Sequence, residues 1–375
     1  MTADYLCQCE LHAPDSLHLR VSAPDGQEAR LTSRVTLDPQ QADLRRLVKQ
    51  ARHGQGTLRG WQELGEALYA GLFDPAAQAH LTNWRQRAAD AGGRLHLQLE
   101  VDAQLPELNA LPWEFLRQPA TAGRPALWLA AEPAFTLTRR RLLETITISP
   151  QAPGPLDILV AIAAPADQGQ VEYQPVVDQL LALAQKQPRR LAAPRVLNPA
   201  SLESARRALA ARPPQLFHFI GHGRLRAGGL GEIALVGPDG RLAQWVPDET
   251  FSALFNRPEI GCVILQACEG AASAAGRPLT GVAAQVAQRN IPLVLAFQFP
   301  ISNHAALAFF KVFYEELLAG QAVAAAVHQQ RGGGGVAHHV HGGNAGTREG
   351  CAALGHSYPL RTLSKRCPHF GLWTA

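Results

Sequence analysis

Two stretches decide how this chain is read: Leu216-Phe217-His218-Phe219-Ile220-Gly221-His222-Gly223, and Cys262-Val263-Ile264-Leu265-Gln266-Ala267-Cys268-Glu269-Gly270. Each begins as a short apolar run, and a run of roughly four to eight apolar residues closed by turn residues is the pattern of a strand buried on both faces. Each then turns through small residues that carry one reactive side chain, an imidazole at His222 and a thiol at Cys268. Cys268 lies 46 positions after His222.

Outward from this pair the same rhythm continues. Apolar or extended runs at 156–164, 195–198 and 293–297 alternate with helix-period segments at 175–184, 201–211, 248–255, 280–289 and 303–318, and a hairpin is expected across Gly237-Pro238-Asp239-Gly240. Continuous apolar strands alternating with helices predict an α/β fold, a mainly parallel sheet with helices on both faces. In such a sheet chemistry collects beyond the carboxyl ends of the strands, where His222 and Cys268 both stand. Simple doubly wound order would make their strands neighbours.

The first 148 residues follow a different pattern. Alternation from Leu17 to Val35 around Asp25-Gly26 reads as a hairpin, segments 43–51, 59–72 and 76–91 as helices, 94–101 as a strand, and 111–116 as a short helix with Pro112 in its first turn. Residues 1–148 are therefore expected to form a smaller α+β domain. The segment 149–155, with Pro150, Pro153, Gly154 and Pro155, is a linker by composition. Residues 156–331 form the α/β domain, and 332–375 is expected to be an irregular tail rich in Gly and His. The cysteines and histidines of that tail match no zinc-site spacing, so no metal is expected.

Composition narrows the partners. At 375 residues, 46% hydrophobic and 18% charged, the chain can bury real cores. The formal charge is +4, much of it from Arg348, Arg361, Lys365 and Arg366 in the tail, and no basic stripe or module motif points to nucleic acid. Six cysteines without regular spacing fit free thiols in a reducing compartment. Neither a leader pattern at the start nor an apolar stretch of about 18 residues is present, so a cytoplasmic location away from membranes is expected. The sequence holds no Walker A loop, G-x-G-x-x-G, G-x-S-x-G or H-E-x-x-H motif, so no cofactor is expected.

A thiol attacks an acyl carbon as thiolate, which calls for a nearby imidazole and an exposed setting. Cys268 is then the nucleophile, His222 the group that protonates the leaving amine, and the N–H groups of Gly223 and Cys268 the donors to the oxyanion. Cys262, inside its run, reads as core, and His218, alternating with apolar positions, as a satisfied interior histidine. Glu269 would disfavour the thiolate by like charge and is expected to point away. Asp239, Asp248 and Glu269 are the acids available to a substrate pocket. The competing readings are a module that keeps the groove without turnover, and an unrelated doubly wound domain.

Gln-Ala-Cys-x-Gly with a histidine about 50 residues upstream is the pattern by which caspases are recognised, and Glu269 stands where that pattern has Arg, Gln or Gly. With Leu111-Pro112-Trp113-Glu114, Leu156-Asp157-Ile158-Leu159-Val160, the run 291–301 and the helix holding 308–314, the chain resembles the CHAT-domain proteins over about residues 105–331. These form a bacterial caspase-like group of clan CD cysteine peptidases related to caspases and separases. The resemblance implies a caspase-like fold, His222 and Cys268 as the catalytic dyad, and protein or peptide substrates cut by an endopeptidase. It also implies service in bacterial defence or programmed death, and latency until an activating protein partner acts. Members usually close with one further strand, for which the tail offers no convincing candidate. The tetratricopeptide repeats that often accompany the domain are absent, since 43–91 shows no 34-residue period.

Overall fold

The computed structural model describes residues 4–52, 56–102, 104–121, 123–132, 134–140, 154–225, 231–266, 282–289, 291–297, 303–319 and 370–374. Its first half holds strands β1 (Tyr5–Ala13), β2 (Ser16–Ser22) and β3 (Glu28–Arg34) and helices α1 (Ala42–Arg52), α2 (Leu58–Leu72) and α3 (Pro75–Asp90). Strand β4 (Leu95–Val101), the short helix α4 (Pro106–Asn109), the hairpin β5 (Arg117–Gln118) and β6 (Leu127–Trp128), and strand β7 (Phe135–Arg140) follow. The second half runs β8 (Ile158–Ile162), α5 (Gln174–Lys186), β9 (Arg195–Leu197), α6 (Leu202–Ala211), β10 (Leu216–Ile220), β11 (His222–Leu225), β12 (Gly231–Val236), β13 (Ala243–Pro247) and α7 (Asp248–Ser252). It closes with β14 (Cys262–Gln266), α8 (Val282–Ala287), β15 (Leu293–Phe297), α9 (Asn303–Leu318) and β16 (Phe370–Thr374).

Local chemistry explains the element ends. Thr57 and Asp74 cap α2 and α3 by accepting from the N–H groups of Gly60 and Ala77, and Ser201 and Ser204 form a reciprocal capping box on α6. Between β2 and β3 the turn at Asp25-Gly26 uses Gly26 at φ +84°, a backbone state glycine adopts freely.

One sheet of eleven strands runs through both halves in the order β3-β2-β1-β4-β7-β16-β15-β14-β10-β8-β9. The pairs β3–β2, β2–β1 and β16–β15 are antiparallel and the rest parallel, so the sheet is mainly parallel as its apolar strands predict. The apolar strands split their side chains by alternation. Ile158, Val160, Ile162, Leu216, Ile220 and Ile264 share one core with Val176 and Leu180 of α5 and Phe309, Phe310, Phe313 and Tyr314 of α9. Leu159, Ala161, Phe217, Phe219, Val263 and Leu265 share another with α6, α7 and α8. Each strand is therefore apolar on both faces, with His218 and Gln266 as the polar exceptions, which is why these runs show no period of two.

The first half has its own core, in which Leu44, Leu47, Trp61, Leu64, Leu68 and Trp84 of the helices meet Cys7, Leu19, Leu97, Leu99 and Leu137 of the strands. Here Arg139, nearly sealed, binds both carboxylate oxygens of Glu114 at 2.8 Å and the carbonyls of Asn109 and Leu111 at 3.1 and 2.7 Å. A buried guanidinium is tolerable when its donors are met this fully. The Leu-Pro-Trp-Glu motif is thus a clamp on β7: Glu114 supplies the charge and Trp113 fills the core.

The tail differs from the reading of 332–375 as irregular. Its end, Phe370–Thr374, is a strand lying between β15 and β7, so it supplies the closing strand and joins the two halves into one sheet. Five alternating residues give a weak local signal, and their partners lie far back in sequence. The expected linker residues 149–153 and the tail residues 332–369 lie outside the described residues.

Candidate active site

The strand pair that carries the candidate dyad is β10 and β14. They are parallel neighbours with Ile220 level with Gln266, and one more ladder bond joins the Gly221 N–H to the Gln266 carbonyl at 3.2 Å. His222 follows the first of those bonded residues at once, and Cys268 follows the second by two positions. Cys268, Glu269 and Gly270 lie outside the described residues.

Gly221 is the step by which the chain leaves the large sheet and enters a small antiparallel sheet of β11, β12 and β13. A Cβ there would lie 2.7 Å from Phe219 Cζ and 2.8 Å from the Ala163 carbonyl, so no other residue fits without movement. Beyond it His222 is partly exposed, level with Ala234 on β12, and its Nε2 lies 2.8 Å from the Gly169 carbonyl. A carbonyl only accepts, so Nε2 carries the hydrogen and Nδ1 keeps the free lone pair. Gly223 is next on the same strand.

His218, two residues back on β10 from Ile220, has the opposite environment. It is fully buried, its Nε2 donating to Gln266 Oε1 at 3.2 Å and its Nδ1 accepting from the Tyr314 hydroxyl at 2.7 Å. The amide oxygen can only accept, which fixes this tautomer and the direction of the hydroxyl. Burial pulls the His218 pKa down to about 3, against a smaller opposing effect of the Gln266 bond. This ring is neutral across the physiological range and ties β10, β14 and α9 together.

The thiols separate in the same way. Among the described residues the free cysteines are Cys7, Cys9 and Cys262, all buried. Burial pushes the Cys262 thiol up to about 12, and contact with Cys9 together with burial raises that of Cys7. None has the setting a nucleophile needs.

On the same face of the small sheet as His222, Arg224 donates twice to the buried Glu232 carboxylate at 2.8 Å and lies 3.8 Å over the Trp245 ring. The stacked guanidinium and indole form a stiff wall beside the imidazole, and no sequence motif announces it. Of the acids considered for a pocket, Asp239 is spent on its own turn, accepting from the N–H groups of Arg241 and Leu242, which lower its pKa. Asp248 is buried and accepts from the Gly231 and Glu249 N–H groups, yet burial still raises it. Glu269 lies outside the described residues.

Sequence reasoning singled out His222 and Gly223 but missed Gly169, whose backbone carbonyl orients the ring from 53 residues upstream and leaves no side-chain signal. It also missed the tie between Gln266 and His218. The described residues hold no cluster of three or more His, Cys, Asp or Glu able to bind a metal, and no helix among them is long and apolar enough to cross a membrane.

No curated protein matches the chain. Among solved structures it is similar to the Saccharomyces cerevisiae separase–securin complex at 3.0 Å, with a TM-score of 0.50 and 12% identity over 88% of this chain and 29% of that one. A second structure of the same complex, at 2.6 Å, gives a TM-score of 0.45 with 12% identity over 90% and 29%. The chain thus spans less than a third of those matched chains, and the first likeness supports a fold shared with the separase–securin structure. The family model of the CHAT domain matches residues 62–333, beginning well before residue 105, where the motifs first suggested it. Reaching back through α2, α3 and β4, the match takes in most of the first half, and the chain belongs to the CHAT-domain family.

Proposed function

We propose that the protein is a cysteine endopeptidase with Cys268 as nucleophile, His222 as general base and acid, and the N–H groups of Gly223 and Cys268 as oxyanion donors. The observation that carries this reading is the parallel register of β10 and β14, with its terminal bond from Gly221 to Gln266. In sequence Cys268 stands two residues after Gln266 and His222 directly after Gly221, the two residues joined by that bond.

The His222 tautomer fits the task. With Nε2–H held by Gly169, Nδ1 is the nitrogen able to take the Cys268 proton. The thiolate sulfur then bonds to the scissile carbonyl carbon, and the carbonyl electrons move to oxygen, where the backbone N–H groups meet the charge. On collapse the C–N bond breaks, the amine leaves with the proton from Nδ1, and a thioester remains. Water, giving its proton to the same nitrogen, attacks the thioester and releases the carboxylate product and the thiol. No cofactor is needed for this sequence. A protein partner that switches the site on or holds it latent belongs to the same proposal, and the related fold has been crystallised as a complex of separase with securin.

The competing reading, a caspase-like interaction module without turnover, makes a different prediction for one experiment. A peptide panel varied at the residue before the cut is offered to the wild-type chain and to Cys268→Ala. Cleavage by the first and none by the second supports the peptidase. Equal turnover by both rejects it, as does the absence of His222-dependent labelling of Cys268 by a thiol-directed peptide electrophile.

A further inference from the structure

We propose that Asp167 is a positioning residue: it fastens the segment 165–169 to the small sheet and so holds His222 in the tautomer that leaves Nδ1 able to take a proton. The inference rests on the reading of His222 as general base and deepens it.

The segment leaves the large sheet after β8, the parallel neighbour of β10, and starts level with that strand's end, where the Ala163 N–H donates to the Ile220 carbonyl at 2.9 Å. Pro165 is buried, and its carbonyl accepts from the Gln168 N–H at 3.1 Å, which closes a β-turn with the exposed Asp167 at its third position. Two bonds join this turn to β13. The Ala166 N–H donates to the Arg241 carbonyl at 2.7 Å, and the N–H of Ala243, first residue of the strand, donates to Asp167 Oδ1 at 2.8 Å. Two residues beyond Asp167, the Gly169 carbonyl accepts from His222 Nε2 on β11 at 2.8 Å. Strands β11 and β13 are the outer strands of the small sheet, so the segment is a strap bonded to both of its edges.

The bond to Asp167 serves the strap alone. The Gly237 N–H donates to the Leu242 carbonyl at 2.8 Å, so by the alternation of an antiparallel ladder the next residue, Ala243, turns its N–H away from β12. A carboxylate takes up that edge donor, in a bond stronger than one between neutral groups. At the other end Gly169 is exposed and has no side chain to anchor it, and its backbone is the freest of any residue. The place of its carbonyl therefore depends on the side-chain anchor two residues earlier. A neutral imidazole can carry its hydrogen on either nitrogen, and this carbonyl selects Nε2.

The test uses the full chain with nitrogen-15 in its histidines, the His222 signals being assigned by their loss in His222→Gln. Two-bond proton–nitrogen spectra are recorded at about pH 8.5, well above the ordinary imidazole value of about 6.5. In the wild-type chain the hydrogen should sit on Nε2 alone. Asp167→Ala should move part of the population to Nδ1–H, and Asp167→Asn, which keeps the accepting oxygen, should restore the wild-type spectrum. Ala243→Pro removes the donor at an edge position where proline is tolerated, and should reproduce Asp167→Ala, with no further change when the two are combined. On a cleaved peptide, Asp167→Ala should lower kcat about 10-fold with KM within about two-fold of wild type. The proposal is overturned if Asp167→Ala and Ala243→Pro both keep the single Nε2–H tautomer, or if their effects add in the double variant. A wild-type chain that cleaves nothing counts against the peptidase reading instead, and the tautomer still decides the role of Asp167.

Discussion

Two histidines four residues apart on one chain segment sit in opposite environments. His218 lies inside β10 with both nitrogens bonded to side chains and its pKa drawn down to about 3, so it is a neutral polar rivet among Phe310, Tyr314 and Gln266. His222 lies past the strand end, partly exposed, with one nitrogen fixed by a backbone carbonyl and the other without a partner among the described residues. Side-chain type is the same at both positions, and it is the residue just past the buried strand that divides the sealed ring from the partly exposed one proposed for catalysis. Gly221 makes the division, because only a residue without a Cβ passes between Phe219 and the Ala163 carbonyl.

The largest expected effect separates the two rings by activity. His222→Ala should lower kcat/KM by about 10²- to 10⁴-fold, the range for loss of a general acid–base group, while thermal unfolding stays close to wild type. A stability loss as large as that of core variants would show His222 to be a second rivet. Tyr314→Phe probes the other ring: leaving His218 Nδ1 buried without a donor should cost about 1–3 kcal/mol in urea unfolding, with KM unchanged. An unchanged unfolding midpoint would break the contrast from the buried side.

Gly221→Ala tests the divider itself. Overpacking against Phe219 and Ala163 should cost about 1–3 kcal/mol, and it should lower activity more than Tyr314→Phe does, since it displaces the residue next to His222. A further effect is one of pH. His218 has a depressed folded-state pKa, so its contribution to stability is complete above the unfolded value near 6.5 and is lost as pH falls from about 6.5 towards 3. Below that upper limit wild-type stability should decline by up to about 1.4 kcal/mol per pH unit on account of this ring. His218→Asn should flatten that part of the profile, and an identical slope in both proteins would show that the ring is not buried neutral.

The contrast also shows what a sequence discloses. The runs 216–220 and 262–266 are legible as buried strands because both faces are covered, by α5 and α9 on one side and α6 to α8 on the other, and that demands apolar residues throughout. The alternation that marks His218 as interior and the glycines that mark His222 as exterior are equally local. The bonds that fix each ring are not: Tyr314 and Gln266 reach His218 from 96 and 48 residues away, and Gly169 reaches His222 through its backbone. The strand Phe370–Thr374 escaped reading for the same reason, since it is made by partners at 135–140 and 293–297 more than by its own five residues.

The central claim, that His222 activates Cys268 across the ends of two adjacent strands, is tested most directly by the pH profile of Cys268 alkylation with iodoacetamide, read by mass spectrometry of the full chain's peptides. In the wild-type chain the rate should reach half its plateau below the ordinary thiol value of about 8.5, and His222→Ala should move that midpoint up to or above 8.5 while Cys262 stays unlabelled in both. Superimposable profiles for the two proteins, or a Cys268 as inert as Cys262, would contradict it.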